Sequence, residues 1–429
     1  MRLVPCDPES LTLRGTHGRL RCMTLRPYLG ALLILAACSS TERAAPAVTF
    51  TALPSPAGLQ SGEPNLTTDA SGAVHMTWIE RTGDSTHAVR YARLEGETWS
   101  TPSTVIERRD LFVNWADFPA VIGTPSGRLL VHWLQRSGAG RYAYDVRIAQ
   151  STDGGATWSA DTVLHTDRSA GEHGFVALWV APGDSVRAAW LDGRQMAGGH
   201  DGHAKGAMTL QSVAVAPNGT LGAEEPLDVR TCDCCQVAAT VTPSGPVVAY
   251  RDRTEDEIRD IVVVRQVDGK WTTPAVVHND GWHIEACPVN GPALASRGDT
   301  VAIAWFTGAQ DTARVRVAFS VDGGESFAAP VRIDGGTPAG RVGITLDANG
   351  DAIVSWLERV PPEDAEVRVR RVARSGAMGE PLTVSRTKAA RASGFPRITR
   401  SGDGLVAAWT VPGDSARVMV GRLPLGGLE

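Results

Sequence analysis

Four cysteines, Cys232, Cys234, Cys235 and Cys287, carry the most specific chemistry in this 429-residue sequence. Thiolates bind soft metal ions, and in an oxidising compartment they pair as disulfides. Three of them stand in the string Thr231-Cys232-Asp233-Cys234-Cys235-Gln236. The fourth stands in the segment 278–292, with His283 and Glu285 beside it. Four cysteines allow three pairings. A bond from the 232–235 segment to Cys287 is expected ahead of a strained Cys234–Cys235 link. The competing chemistry is a zinc or copper site completed by His200, His203 or His283. A C-x-C-C spacing is not a common zinc-finger pattern, so disulfides are expected first.

Charged residues gather in the same part of the chain. Asp192 and Arg194 open the segment 191–207, which also carries His200, Asp201 and His203. Tyr250-Arg251-Asp252-Arg253 follows the cysteines, with Glu255 and Asp256 close behind. Arg251, Asp252, Arg253, Asp192 and Arg194 are the catalytic candidates. Arg194, Arg251, His203, His283 and Glu285 are the candidates for holding a ligand, because arginines on one rim clamp anions bidentately. The bland alternative pairs each arginine with a neighbouring acid: Glu80, Asp192, Asp252 or Glu358.

Such residues need a scaffold, and the sequence repeats one. A short strand, a Gly-containing turn and an apolar strand ending in an aromatic residue recur at 66–78, 120–133, 177–190, 237–250, 293–305, 344–356 and 397–409. The terminal aromatics, Trp78, Trp133, Trp190, Tyr250, Trp305, Trp356 and Trp409, lie 51–60 residues apart, the span of a four-stranded propeller blade. The fold class expected is all-β, a propeller of seven four-stranded blades, with six as the alternative. The seventh unit lacks one outer strand, and 48–53 is free to supply it and close the ring. Blade-to-blade connections and second-to-third-strand loops then open on one face. That places the cysteines and the charged segments on one sector of a rim.

Two turns sharpen the picture. Ser151-Thr152-Asp153-Gly154-Gly155-Ala156-Thr157-Trp158 matches the Asp-box pattern S-x-D-x-G-x-T-W, and 320–327, with Asp322 and Phe327, matches it with conservative changes. The chain resembles the sialidase-like Asp-box (BNR repeat) propellers over 48–429. The resemblance implies that Asp153, Trp158, Asp322 and Phe327 are structural and face away from any active site. It also implies a catalytic set of three arginines, a Tyr–Glu nucleophile pair and an Asp acid/base. That set is not rebuilt here. No Phe/Tyr-Arg-Ile-Pro motif opens the domain, Phe395-Pro396-Arg397-Ile398 is scrambled, and no tyrosine follows Tyr250.

The N-terminus reads as an address. Residues 1–22 look like an upstream start, and 23–37 like a signal peptide ending Leu35-Ala36-Ala37 before Cys38. This resembles a bacterial lipobox with Cys38 lipidated, 38–47 a tether and 48–429 a single propeller domain. A net charge of −5 with mixed signs excludes a nucleic-acid partner. The expected function is a lipid-anchored envelope protein, on the outer membrane or the periplasmic face and monomeric. Its rim would bind a glycan, an anionic ligand or a cell-surface protein, and the lipid is its only membrane contact. The alternative is a divergent glycoside hydrolase, exo-sialidase-like, or a metal-dependent enzyme on the same rim.

Overall fold

The computed structural model describes residues 50–196 and 206–428. Cys38, His200, Asp201 and His203 lie outside the described residues, as do the signal and tether. The chain folds into seven antiparallel sheets in sequence order, each one propeller blade. The first blade runs Ser61–Thr68, Val74–Arg81, His87–Glu95 and Ser103–Arg108. The six-bladed alternative falls.

The last blade closes the ring as expected. Its strands Arg397–Ser401, Gly404–Val411 and Arg417–Pro424 are joined by the N-terminal Thr51–Leu53, in register Thr51 with Arg422, Ala52 with Gly421 and Leu53 with Val420. Glycine is needed at 421, because a β-carbon there would run into the Phe50 ring. Phe50 in turn meets Trp409 edge-on at 5.4 Å.

Strand alternation explains the core. Valines, alanines and leucines of the second and third strands pack between adjacent blades, and Trp78, Trp133, Trp190, Trp305 and Trp356 are among the largest fully buried side chains. A buried indole N–H needs an acceptor. Trp78, Trp190 and Trp356 donate to the acid two residues on, Glu80, Asp192 and Glu358, at 3.2, 2.8 and 2.7 Å. Trp305 uses Asp280 at 2.7 Å, and the Tyr250 hydroxyl uses Asp228 at 2.6 Å. These acids therefore serve the core first and any arginine second.

The turns 151–158 and 320–327 join third to fourth strands of their blades. Asp153 accepts from Ser151 Oγ at 2.7 Å, Thr157 N at 2.9 Å and Thr157 Oγ1 at 2.6 Å. The Thr157 bonds pull its carboxyl down to about 2. Trp158 packs edge-on against Tyr91 of the preceding blade. Asp322 repeats the pattern with Ser320, Glu325 N and Ser326 N. By topology these turns lie on the face opposite the blade-to-blade connections.

Candidate functional site

The rim is built from connections that cross the channel mouth. Gln236, just after the cysteines, donates to Ala116 O at 2.6 Å and accepts from Gly291 N at 2.9 Å. One amide thus ties together the connections into the second, fourth and fifth blades. Below them, Asn65, Thr67, Asp117, Phe118, Phe175, Gln236 and Arg397 help line a channel cavity of about 200 Å³.

Three of the cysteines lie together. Cys232, Cys234 and Cys235 are buried, with their sulfurs all within 4.8 Å of one another. Cys232 Sγ lies 3.3 Å from Cys235 Sγ and 4.0 Å from Cys234 Sγ. The exposed Cys287 is in hydrogen-bond reach of Cys234. No disulfide joins these cysteines in this structure, against the expectation. Burial opposes ionisation at Cys232. The bonds from Cys234 and Cys235 and the charges of Arg259 and Arg251 outweigh it and hold that thiol well below its ordinary value. Burial pushes Cys234 and Cys235 the other way.

Arg251 is not a rim residue. It is 1% exposed, and its guanidinium donates to the carbonyls of Asn290, Arg259 and Phe306 at 2.6–3.0 Å, with its charge 4.8 Å over the Trp282 ring. Asp260 fixes Trp282 beneath it by accepting from Gly281 N and Trp282 N. Arg253 pairs with Asp233 and Glu257, and Arg194 with Asp192 and Glu224. Asp192 is fully buried between Trp190 and Arg194. Asp252 is half-buried, and burial lifts its carboxyl to about 6. His283 and Glu285 are exposed on the connection carrying Cys287. Among the described candidates Asp192, Arg194 and Arg253 are thus drawn into ion pairs and Arg251 onto backbone carbonyls, with His283 and Glu285 at the surface.

A second sector, over blades six, seven and one, was not singled out by the sequence. The first strand of blade six is Pro338–Leu346, and it bulges between Gly340 and Gly343. Arg341 sits in that bulge at φ 56, a conformation that re-aims its side chain. Its guanidinium, buried, donates to Ala390 O at 3.0 Å and Gly394 O at 2.9 Å, and lies 4.8 Å over the Trp115 ring. Trp115 stacks on Phe395 at 5.9 Å and is approached by Arg391 at 5.9 Å. Burial, then repulsion from Arg359 and Arg391, brings Arg341 down to about 10. Among the described residues no carboxylate pairs with it. Arg397, over Phe118 at 4.7 Å, is brought to about 10 by burial in the channel. The bulge does have a sequence signal, Gly before the aimed residue, repeated at Gly62-Glu63 and Gly174-Phe175.

A tyrosine–glutamate pair is present but sealed. Tyr144 donates to Glu172 at 2.7 Å, stacks on Phe112 and is fully buried. No substrate atom reaches that hydroxyl.

No protein-family model matches the chain. No curated protein matches it either. Solved structures do. A protein of unknown function from Dyadobacter fermentans is 13% identical, with a TM-score of 0.52 over 89% of this chain and all of that one. The Fusarium graminearum α-L-arabinofuranosidase is 12% identical over 88% of this chain and 98% of its own, at a TM-score of 0.48. The NanB sialidase of Streptococcus pneumoniae is 12% identical over 89% and 70%, at 0.47. At such identities the likeness concerns the fold alone.

Proposed function

We propose that the protein is a cell-envelope lipoprotein, held by a lipid on Cys38, whose propeller binds an acidic glycan on the rim over blades six, seven and one. Arg341 carries the reading. A buried guanidinium flanked by Arg359 and Arg391, with no carboxylate partner among the described residues, is a site that a ligand anion would complete. Half-buried Trp115 supports it, as a flat apolar surface beside the charge on which a sugar ring can lie.

The test is calorimetric titration with three oligosaccharides of equal length: a hexuronate, a sulfated one and a neutral one. Binding of an acidic probe that weakens with salt, and at least tenfold in Arg341→Gln, is expected. Equal binding of the neutral probe, or no binding of any, overturns the reading. For the anchor, Cys38→Ser is expected to move the protein from the membrane to the soluble fraction.

A divergent glycoside hydrolase is the second reading, and Glu63 is what favours it. Glu63 occupies the bulge position homologous to Arg341, and burial lifts its carboxyl to about 7, the range of a general acid. Reducing-end release from the same probes, abolished in Glu63→Gln, would carry this reading instead.

A further inference from the structure

We propose that Cys232, Cys234, Cys235 and Cys287 form a binding site for one thiophilic d10 cation, Zn2+ or Cu+. The site is independent of the glycan reading, since it lies over blades three to five and shares no side chain with the Arg341 sector.

The geometry comes first. A metal–sulfur bond of about 2.3 Å puts tetrahedral thiolate ligands about 3.8 Å apart. The observed 3.3 and 4.0 Å separations bracket that value, and all three buried sulfurs fall within 4.8 Å of one another. A disulfide would need sulfurs about 2.05 Å apart. The three thiols pack in one core cluster with Phe175, Leu191, Met208 and Tyr250, and a shared cation would use all of their sulfurs at this spacing.

Charge is the second observation. Thiolates in a buried site need compensation, and two guanidiniums supply part of it. Arg259 donates through Nη1 to Cys232 Sγ at 3.4 Å. Arg251 is fully buried nearby, and its donors end on neutral carbonyls. Four thiolates on Zn2+ leave a net charge of −2, and so do three on Cu+. Arg259 is also paired with Glu257 at 2.7 Å, so the two guanidiniums offset only part of that charge. Hydrogen bonds to sulfur of the kind Arg259 makes are also what fixes and tunes thiolate ligands in metal sites.

The fourth ligand gives a way in. Cys287 is exposed and lies beside Cys234, on a connection held in place by Gln236 through Gly291. An incoming ion meets Cys287 at the surface and passes to the buried three. Each coordinated thiol gives up its proton, so uptake releases protons and strengthens as pH rises.

The test uses the full propeller chain, purified under reducing conditions and stripped with a strong chelator. Zn2+, and separately Cu+ against a coloured competitor, are titrated in, with proton release and thiol reactivity followed together. One equivalent bound, with Cys232, Cys234 and Cys235 shielded from a thiol reagent until chelator is added, is the expected result. Co2+ substitution should give thiolate-to-metal charge-transfer bands. Cys232→Ser and Cys235→Ser should weaken affinity at least a hundredfold, and Cys287→Ser, at a surface position that spares folding, at least tenfold. Three results overturn the proposal. The first is thiols equally reactive with and without metal. The second is a disulfide that mass spectrometry finds re-forming in place of metal uptake. The third is binding that survives Cys232→Ser and Cys287→Ser unchanged.

Discussion

Arg251 and Arg341 are built alike and charged unlike. Each is a buried arginine lying 4.8 Å over a tryptophan, Trp282 in one case and Trp115 in the other. Each spends its donors on backbone carbonyls. One residue even joins them, because Asn290 gives its carbonyl to Arg251 and its side-chain oxygen to the Arg341 N–H. The neighbours differ. Arg251 looks onto sulfur and Arg341 onto two more arginines. A buried cation with a countercharge nearby belongs to the protein's own architecture, and one among like charges is held ready for something from outside.

Breaking the first site should cost the most. In Arg251→Met the carbonyls of Asn290, Arg259 and Phe306 lose their donor, and each stranded acceptor costs about 1–3 kcal/mol. A loss on the order of 4 kcal/mol is expected, read as a lower denaturant midpoint at unchanged slope. In Arg341→Met only two carbonyls lose a donor, and the repulsion from Arg359 and Arg391 is relieved. About 1–2 kcal/mol is expected there, with acidic-glycan binding lost. If Arg341→Met proves the more destabilising of the two, the contrast between the sectors is wrong.

How much of this was legible in sequence follows from which contacts are local. The blade repeat showed because strand alternation and the Trp-ended second strand are short-range patterns. Equivalent connections of neighbouring blades lie side by side, which is why register points the 232–235 segment towards Cys287, and Cys234 is the one in reach of it. Arg251 was placed on the rim because it follows an inner strand, and its burial depends on acceptors up to 55 residues away. Arg341 was missed because a bulge turns it off the strand's alternation. Trp115 was missed because its connection crosses the mouth to reach Phe395, a pairing no local pattern encodes.

The channel floor gives a pH test. Burial lifts Asp117 to about 7 from 3.8, against the opposing bond from Phe175 N. The folded state therefore holds a proton that the unfolded chain releases between those values. The stability is fully present below about pH 4 and is lost as pH rises to about 7, at a limit of about 1.4 kcal/mol per unit. Asp117→Asn keeps an acceptor for Phe175 N without the charge. Its stability should fall less across that window and exceed that of the natural protein at pH 8. Glu63 has the same sign and leaves a residual slope.

The smallest effect belongs to the opposite face, and it checks that the two sectors act apart from the scaffold. Asp322 accepts from Ser320 Oγ at 2.6 Å and from Glu325 N and Ser326 N at 3.0 Å, all within one turn of the chain. In Asp322→Ala the Glu325 and Ser326 donors turn to water, because the turn is open to solvent there. Gly323 and Gly324, at φ 70 and 85, still hold the turn's backbone, and the buried Ser320 hydroxyl, which still accepts from Gly324 N, is the one donor that loses its acceptor. A drop of about 1–2 °C in melting midpoint is expected. Metal uptake and glycan binding should both be unchanged, since every residue assigned to them lies across the sheets from this turn. A variant that folds yet loses either one would show that the two faces are coupled through the blade.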